Sequence, residues 1–174
     1  IPQFVDELPV LGTGMVPEFG TDITIYMREF RADMMPSTFV PATGPGTYAG
    51  TWVWGYQTDG NPTPTAPNGA QKTYINPVVV ATRHVPTKIT WVNELGTGAG
   101  SNLYWEDWTD QTLHWADPFH LAHDDPARLL HYTGQVPAVA HLHGGEVPPQ
   151  LDGGPDAWFT TAPPSGGDQH GHAY

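Results

Sequence analysis

The sequence predicts an all-β protein, a sandwich or barrel of short strands. Three observations predict it. Short segments rich in β-branched and aromatic residues alternate apolar and polar positions. Pro and Gly, 19 and 20 of the 174 residues, are spread between them as turn formers. No stretch carries the apolar period of an amphipathic helix.

Taken in order, TDITIYMREF (residues 21–30) alternates well and predicts a strand. The following ADMMPSTFVPATGPGTYAG is broken by Pro36, Pro41 and Pro45 and reads as a loop. TWVWGYQ reads as a second strand, and TDGNPTPTAPNGAQ (58–71) as a turn-rich surface excursion. INPVVVATRHVPTKITWVNEL reads as two short strands around a turn at Pro86. GTGAGSN has the composition of a flexible connection. Residues 105–128 are aromatic- and Asp-rich without a period, which predicts a long ordered loop. QVPAVAHLHG enters as a strand and ends at Gly144-Gly145, and the tail 160–174 is turn-like. No internal repeat or inter-domain linker stands out.

Eighteen acidic residues face six basic ones, a net charge of -12. That balance argues against nucleic acid and anionic membrane surfaces as partners, since both need clustered Lys and Arg. It suits an extracellular or cell-envelope location. No run is long and apolar enough to span a bilayer. The opening IPQFVDELPVLG is no basic, apolar signal peptide and has the look of a processed or an artificial end, on which a removed signal would leave no trace. Cysteine is absent, which excludes a disulfide framework and a thiolate metal site within these residues.

The chemistry concentrates in AHLHGGEVPPQLDGGPDAWF, residues 140–159. On a strand, His141 and His143 would share a face with Cα atoms roughly 6.5–7 Å apart, leaving Leu142 to the opposite side and the core. Gly144 and Gly145 would let the backbone turn, including at positive φ, and leave room beside the rings. Imidazole without thiolate suits copper, zinc, iron or nickel. The spacing alone is equally what two ordinary strand histidines would show. Asp152 is likewise compatible with a plain Asp-Gly turn.

The wider pattern resembles the first cupredoxin domain of the multicopper oxidases, in the branch of the spore-coat-type bacterial laccases and bilirubin oxidases. The resemblance rests on His141-Leu142-His143-Gly144-Gly145, the Asp152-Gly153 turn and Ala157-Trp158-Phe159. FVDELPVLG near the start, the strand pair ending in Asn93-Glu94-Leu95, and TLHWADP (Thr112–Pro118) extend it over most of the chain. Asn76-Pro77-Val78-Val79 departs from the family's usual Gly-Pro-Thr-Ile.

The resemblance implies a cupredoxin-like Greek-key β-sandwich over residues 1–174. It implies that His141 is a ligand of the type 2 copper and His143 of one type 3 copper of a trinuclear cluster. Asp152 matches an acidic residue that helps supply protons during dioxygen reduction, a task a carboxylate near the metals can perform. The implied activity is laccase-like. One-electron oxidation of phenolic or aromatic substrates or metal ions is coupled to four-electron reduction of O2 to water.

Such an oxidase also needs a type 1 copper with a Cys ligand and four H-x-H elements. The second pair here, His170 and His172, lacks the preceding strand and follows His143 too soon, so it reads as loop. His84, His114, His120, His123 and His131 are scattered, and His120-x-x-His123 is a weak zinc signal. The expectation is therefore a fold and a copper cluster completed by a second polypeptide, with a chain break near Tyr174 that is either a natural cleavage or a plain truncation of a longer sequence. Two other readings stand beside it: a non-catalytic cupredoxin-like copper-binding or structural module, and a cupin-type metal enzyme. The latter fits Pro148-Pro149 and the Ala-Trp-Phe context poorly.

Overall fold

A computed structural model describes residues 5–8, 10–11, 17–44, 46–60, 65–75, 77–95, 137–149, 152–154 and 157–159. Among them there are five strands and no α-helix: β1 Pro17–Phe19, β2 Asp22–Ala32, β3 Thr51–Gln57, β4 Val78–Val80 and β5 Lys88–Asn93. The described residues are all-β, in agreement with a cupredoxin-like β-sandwich. Two compact units divide it, Ile1–Val92 and Asn93–Tyr174.

In the first unit the strands form two sheets. β3, β2 and β5 lie side by side in that order, and β1 pairs with β4. β2 is the central strand and starts and ends close to the expected 21–30. Its alternation buries Ile23, Ile25 and Met27 on one face, as a half-buried strand should. β3 runs antiparallel to it, with Met27 opposite Tyr56, Glu29 opposite Trp54 and Arg31 opposite Trp52. Each of these pairs lies on one face, within reach of contact. The Arg31 guanidinium sits 4.6 Å above the Trp52 ring, and Trp54 Nε1 donates to Glu29 at 3.2 Å. Tyr56 packs at 5.1 Å against Trp91 of β5, although all three β3 aromatics remain exposed.

The two short strands expected around Pro86 are present as β4 and β5, but they do not pair with each other. β4 lies parallel to β1, Glu18 opposite Val79, while β5 joins β2. The turn between them closes from the Val85 amide to the Thr82 carbonyl at 3.0 Å, with His84 at φ 63°. β4 and β5, consecutive in the chain, thus pass to different sheets, as in a sandwich rather than a simple hairpin.

Residues 65–71 are less of a surface excursion than their composition suggests. Ala66 and Ala70 are buried. The Gln71 amide donates to the Arg31 carbonyl at 2.8 Å, and the Asp33 amide to the Gln71 carbonyl at 2.7 Å, so the segment extends the end of β2. Asn68 makes the tight return possible, accepting from the Ala70 amide at 3.0 Å. The expected loop at 105–128, the tail 160–174 and Asn76 lie outside the described residues.

Candidate metal centre

The histidine segment belongs to the second unit. It enters through a single antiparallel bridge in which Ala138 and Phe159 exchange both backbone hydrogen bonds, at 3.1 and 3.0 Å. Phe159 is in turn tied to Asn93, whose Nδ2 donates to the Phe159 carbonyl at 2.8 Å while its Oδ1 accepts from the Leu95 amide at 3.0 Å. Asn93 is 1% exposed. A buried amide with both ends engaged fixes position as well as energy. Trp158, next to Phe159 in sequence, is buried.

Past Ala138 the segment does not continue as a strand, which corrects the expectation of a strand running to Gly144. The Gly145 amide donates to the Leu142 carbonyl at 3.0 Å and closes a four-residue turn. Gly144 occupies its third position at φ 73°, the type II pattern that requires a residue free to adopt positive φ. His143 therefore sits in the turn. Leu142 is 63% exposed rather than inserted in the core, because the turn starts at that residue and swings its side chain outward.

The two imidazoles nevertheless meet. Their ring centroids are 5.7 Å apart, edge to face at 71°. Both residues are exposed. The turn brings the rings together in place of the strand pleat that the spacing suggested.

Asp152 joins them through His141. His141 Nδ1 lies 2.8 Å from the Asp152 carbonyl oxygen and 3.4 Å from its carboxylate Oδ1. A carbonyl only accepts, so Nδ1 carries the proton in this contact, and a neutral ring then presents Nε2 as its lone pair. Asp152 is itself placed by a turn, its amide donating to the Pro149 carbonyl at 3.3 Å, with Gly153 following at φ 70°. The structure brings together the His-x-His pair, His141 and His143, and Asp152, the residue that the resemblance had added to it. Asn93 and Gly153 appear in the sequence motifs, but the motifs assign neither of them its role here. Gly153 carried a signal in the Asp-Gly dipeptide, whereas Asn93 carried none that points across to Phe159.

The donor set is two imidazoles with a carboxylate behind one of them. It fits copper among the metals that imidazole suits, and the hydrogen bond on the far nitrogen of His141 is the usual support of a metal-bound histidine. Among the described residues no group of three or more His, Cys, Asp or Glu could hold a metal ion. His170, His172, His114, His120, His123 and His131 lie outside the described residues. His84, in its turn between β4 and β5, is exposed.

No family model matches the chain, and no solved structure matches it. Curated relatives do. The chain is 38% identical over 93 residues to multicopper oxidase LPR1 homolog 1 of Oryza sativa subsp. japonica, covering 53% of this chain and 13% of that protein. It is 32% identical over 120 residues to multicopper oxidase LPR1 homolog 5 of the same organism, 66% of this chain and 15% of that protein. It is 29% identical over 167 residues to a laccase of Bacillus subtilis, 92% of this chain and 24% of the relative. A match covering that much of the chain takes in the segment from Ala140 to Phe159. The chain spans a quarter or less of the length of these relatives. The likenesses support the multicopper oxidase family.

Proposed function

We propose that this chain is part of a laccase-like multicopper oxidase that couples one-electron oxidation of phenolic or aromatic substrates or metal ions to reduction of O2 to water. In this reading His141 holds the type 2 copper and His143 one type 3 copper of a trinuclear cluster. The observation that carries it is the meeting of the two imidazoles at 5.7 Å beside Asp152. The likeness to proteins named multicopper oxidase and laccase supports copper as the metal for that pair.

When bound, copper supplies the redox chemistry of dioxygen reduction. The chain's own residues do the rest. His141 offers Nε2 while its Nδ1–H is held by the Asp152 carbonyl. The Asp152 carboxylate lies 3.4 Å from Nδ1 and is exposed to solvent, which suits the proton-supplying role proposed for it. With no cysteine in the sequence, the type 1 copper and the remaining cluster ligands come from protein outside these 174 residues, a second polypeptide or further sequence. The reducing substrate would meet that other part, near the type 1 site.

Copper stoichiometry and visible absorption of the complete purified protein test the proposal, with denaturing intact-mass analysis to count its polypeptides. Several coppers with a blue absorption band are expected. One copper or none in folded protein overturns the oxidase reading in favour of a copper-binding or structural module. One iron or manganese overturns it in favour of a cupin-type enzyme.

A further inference from the structure

We infer that the Asp152-Gly153 turn is a positioning element for His141, fixing the ring's tautomer and hence which nitrogen faces the metal. The inference rests on the metal-site reading above and goes further, because it assigns a role to the Asp152 backbone and to a glycine that has no side chain to offer.

Two observations meet at this point. The first is the 2.8 Å contact between His141 Nδ1 and the Asp152 carbonyl. Only the Nδ1–H tautomer makes it as a hydrogen bond, since two lone pairs would otherwise face each other. The second is the space at residue 153. A Cβ built on Gly153 would lie 2.8 Å from His141 Cβ, 3.2 Å from the Ala140 carbonyl oxygen and 3.3 Å from His141 Cα. Two of those atoms are backbone and the third is bonded to it, so none swings aside as a flexible side-chain end would. Gly153 also sits at φ 70°, where a side chain is disfavoured. Glycine is therefore what lets the turn come close enough for the Asp152 carbonyl to reach the ring.

The carboxylate and the carbonyl of Asp152 have separate tasks on this account. The carbonyl orients His141, and the carboxylate is left for proton traffic. The two tasks respond to different substitutions. Asp152→Asn removes the charge but keeps the carbonyl. Gly153→Ala keeps the charge but pushes the carbonyl away.

The test uses the complete protein labelled with [15N]histidine, in its copper-free state, with His141 assigned by its loss in His141→Gln. Long-range 1H–15N spectra report which nitrogen is protonated. Wild type is expected to show His141 as the Nδ1–H tautomer. Asp152→Asn should keep that pattern, whereas Gly153→Ala should lose it and bind copper about 10- to 100-fold more weakly, the effect of removing a ligand's supporting hydrogen bond. A wild-type Nε2–H tautomer overturns the inference even if Gly153→Ala proves too unstable to study. So does a Gly153→Ala protein with unchanged tautomer and copper affinity. Either result leaves the oxidase reading standing, because that reading is judged on the copper count and colour of the wild type.

Discussion

At the scale of the residue, the imidazole pair and one surface carboxylate give separable expectations. His141→Ala and His143→Ala each remove one ligand and leave the other ring, so each should lower the copper content of the complete protein without unfolding it. Both side chains are exposed and contribute little burial. Metal analysis beside circular dichroism checks this, and full copper retention in both variants would exclude them as ligands. Asp59 makes a different kind of prediction. The hydrogen bond and ion pair from Arg28, at 2.7 Å, hold its carboxyl below the ordinary value of 3.8. A group lowered in the folded state stabilises the fold above its unfolded value, and that contribution is lost as the pH falls through the folded one. Wild type should therefore exceed Asp59→Asn in denaturant midpoint at neutral pH, by a small margin because the pair is exposed. The margin should close as the pH drops below the carboxylate range. A margin that persists in acid would assign the effect to something other than this ion pair.

At the scale of the element, strands were legible where the evidence is local, and their partners were not. The alternation of Ile23, Ile25 and Met27 marks β2 in the sequence, and TWVWGYQ delimits β3 residue for residue. Nothing local tells that β4 turns away from β5 to lie beside β1, or that Gln71 returns to the end of β2, because pairing is decided by contacts far apart in the chain. The site shows the same division. Residue type and spacing pointed to His141 and His143 without deciding for them, and the family resemblance, not spacing, added Asp152. The strand geometry assumed for them failed at Leu142, where Gly144 makes a turn cheaper than a continued strand. Asn93 was silent for the same reason that pairing was: its partner Phe159 is remote in sequence. Two substitutions follow from these elements. Ile25→Ala, at a position 3% exposed in the central strand, should cost about 2–5 kcal/mol in denaturant unfolding. Asn93→Ala removes the side chain that links the Phe159 carbonyl, which keeps the Ala138 amide, to the Leu95 amide, and should cost about 1–3 kcal/mol. It should also weaken copper binding, since Phe159 carries the bridge to Ala138 that leads into the histidines. A loss of stability with untouched copper affinity would separate that scaffold from the metal centre.

At the scale of the whole molecule, the question is how far metal and fold depend on one another. A metal that binds the folded state and not the unfolded one stabilises it by mass action, by about 4 kcal/mol when free metal stands a thousandfold above its dissociation constant. The two imidazoles here are close but exposed, and no third ligand joins them among the described residues. These residues alone therefore make a weak metal site, and strong binding requires ligands from elsewhere. On the proposal that those ligands lie on protein outside these 174 residues, copper would act as a tie between this chain and that protein. Calorimetry of the complete protein with and without a copper chelator measures the tie. Wild type should lose several degrees of melting temperature on chelation. The double variant His141→Ala/His143→Ala should melt near the chelated wild type and respond little to chelator. It has lost the imidazoles through which this chain shares the metal. Equal chelator-dependent shifts in the two proteins would mean that any bound copper is held without this chain's histidines. The pair at 5.7 Å would then be two neighbouring surface imidazoles, with Asp152 no more than the residue opening a turn.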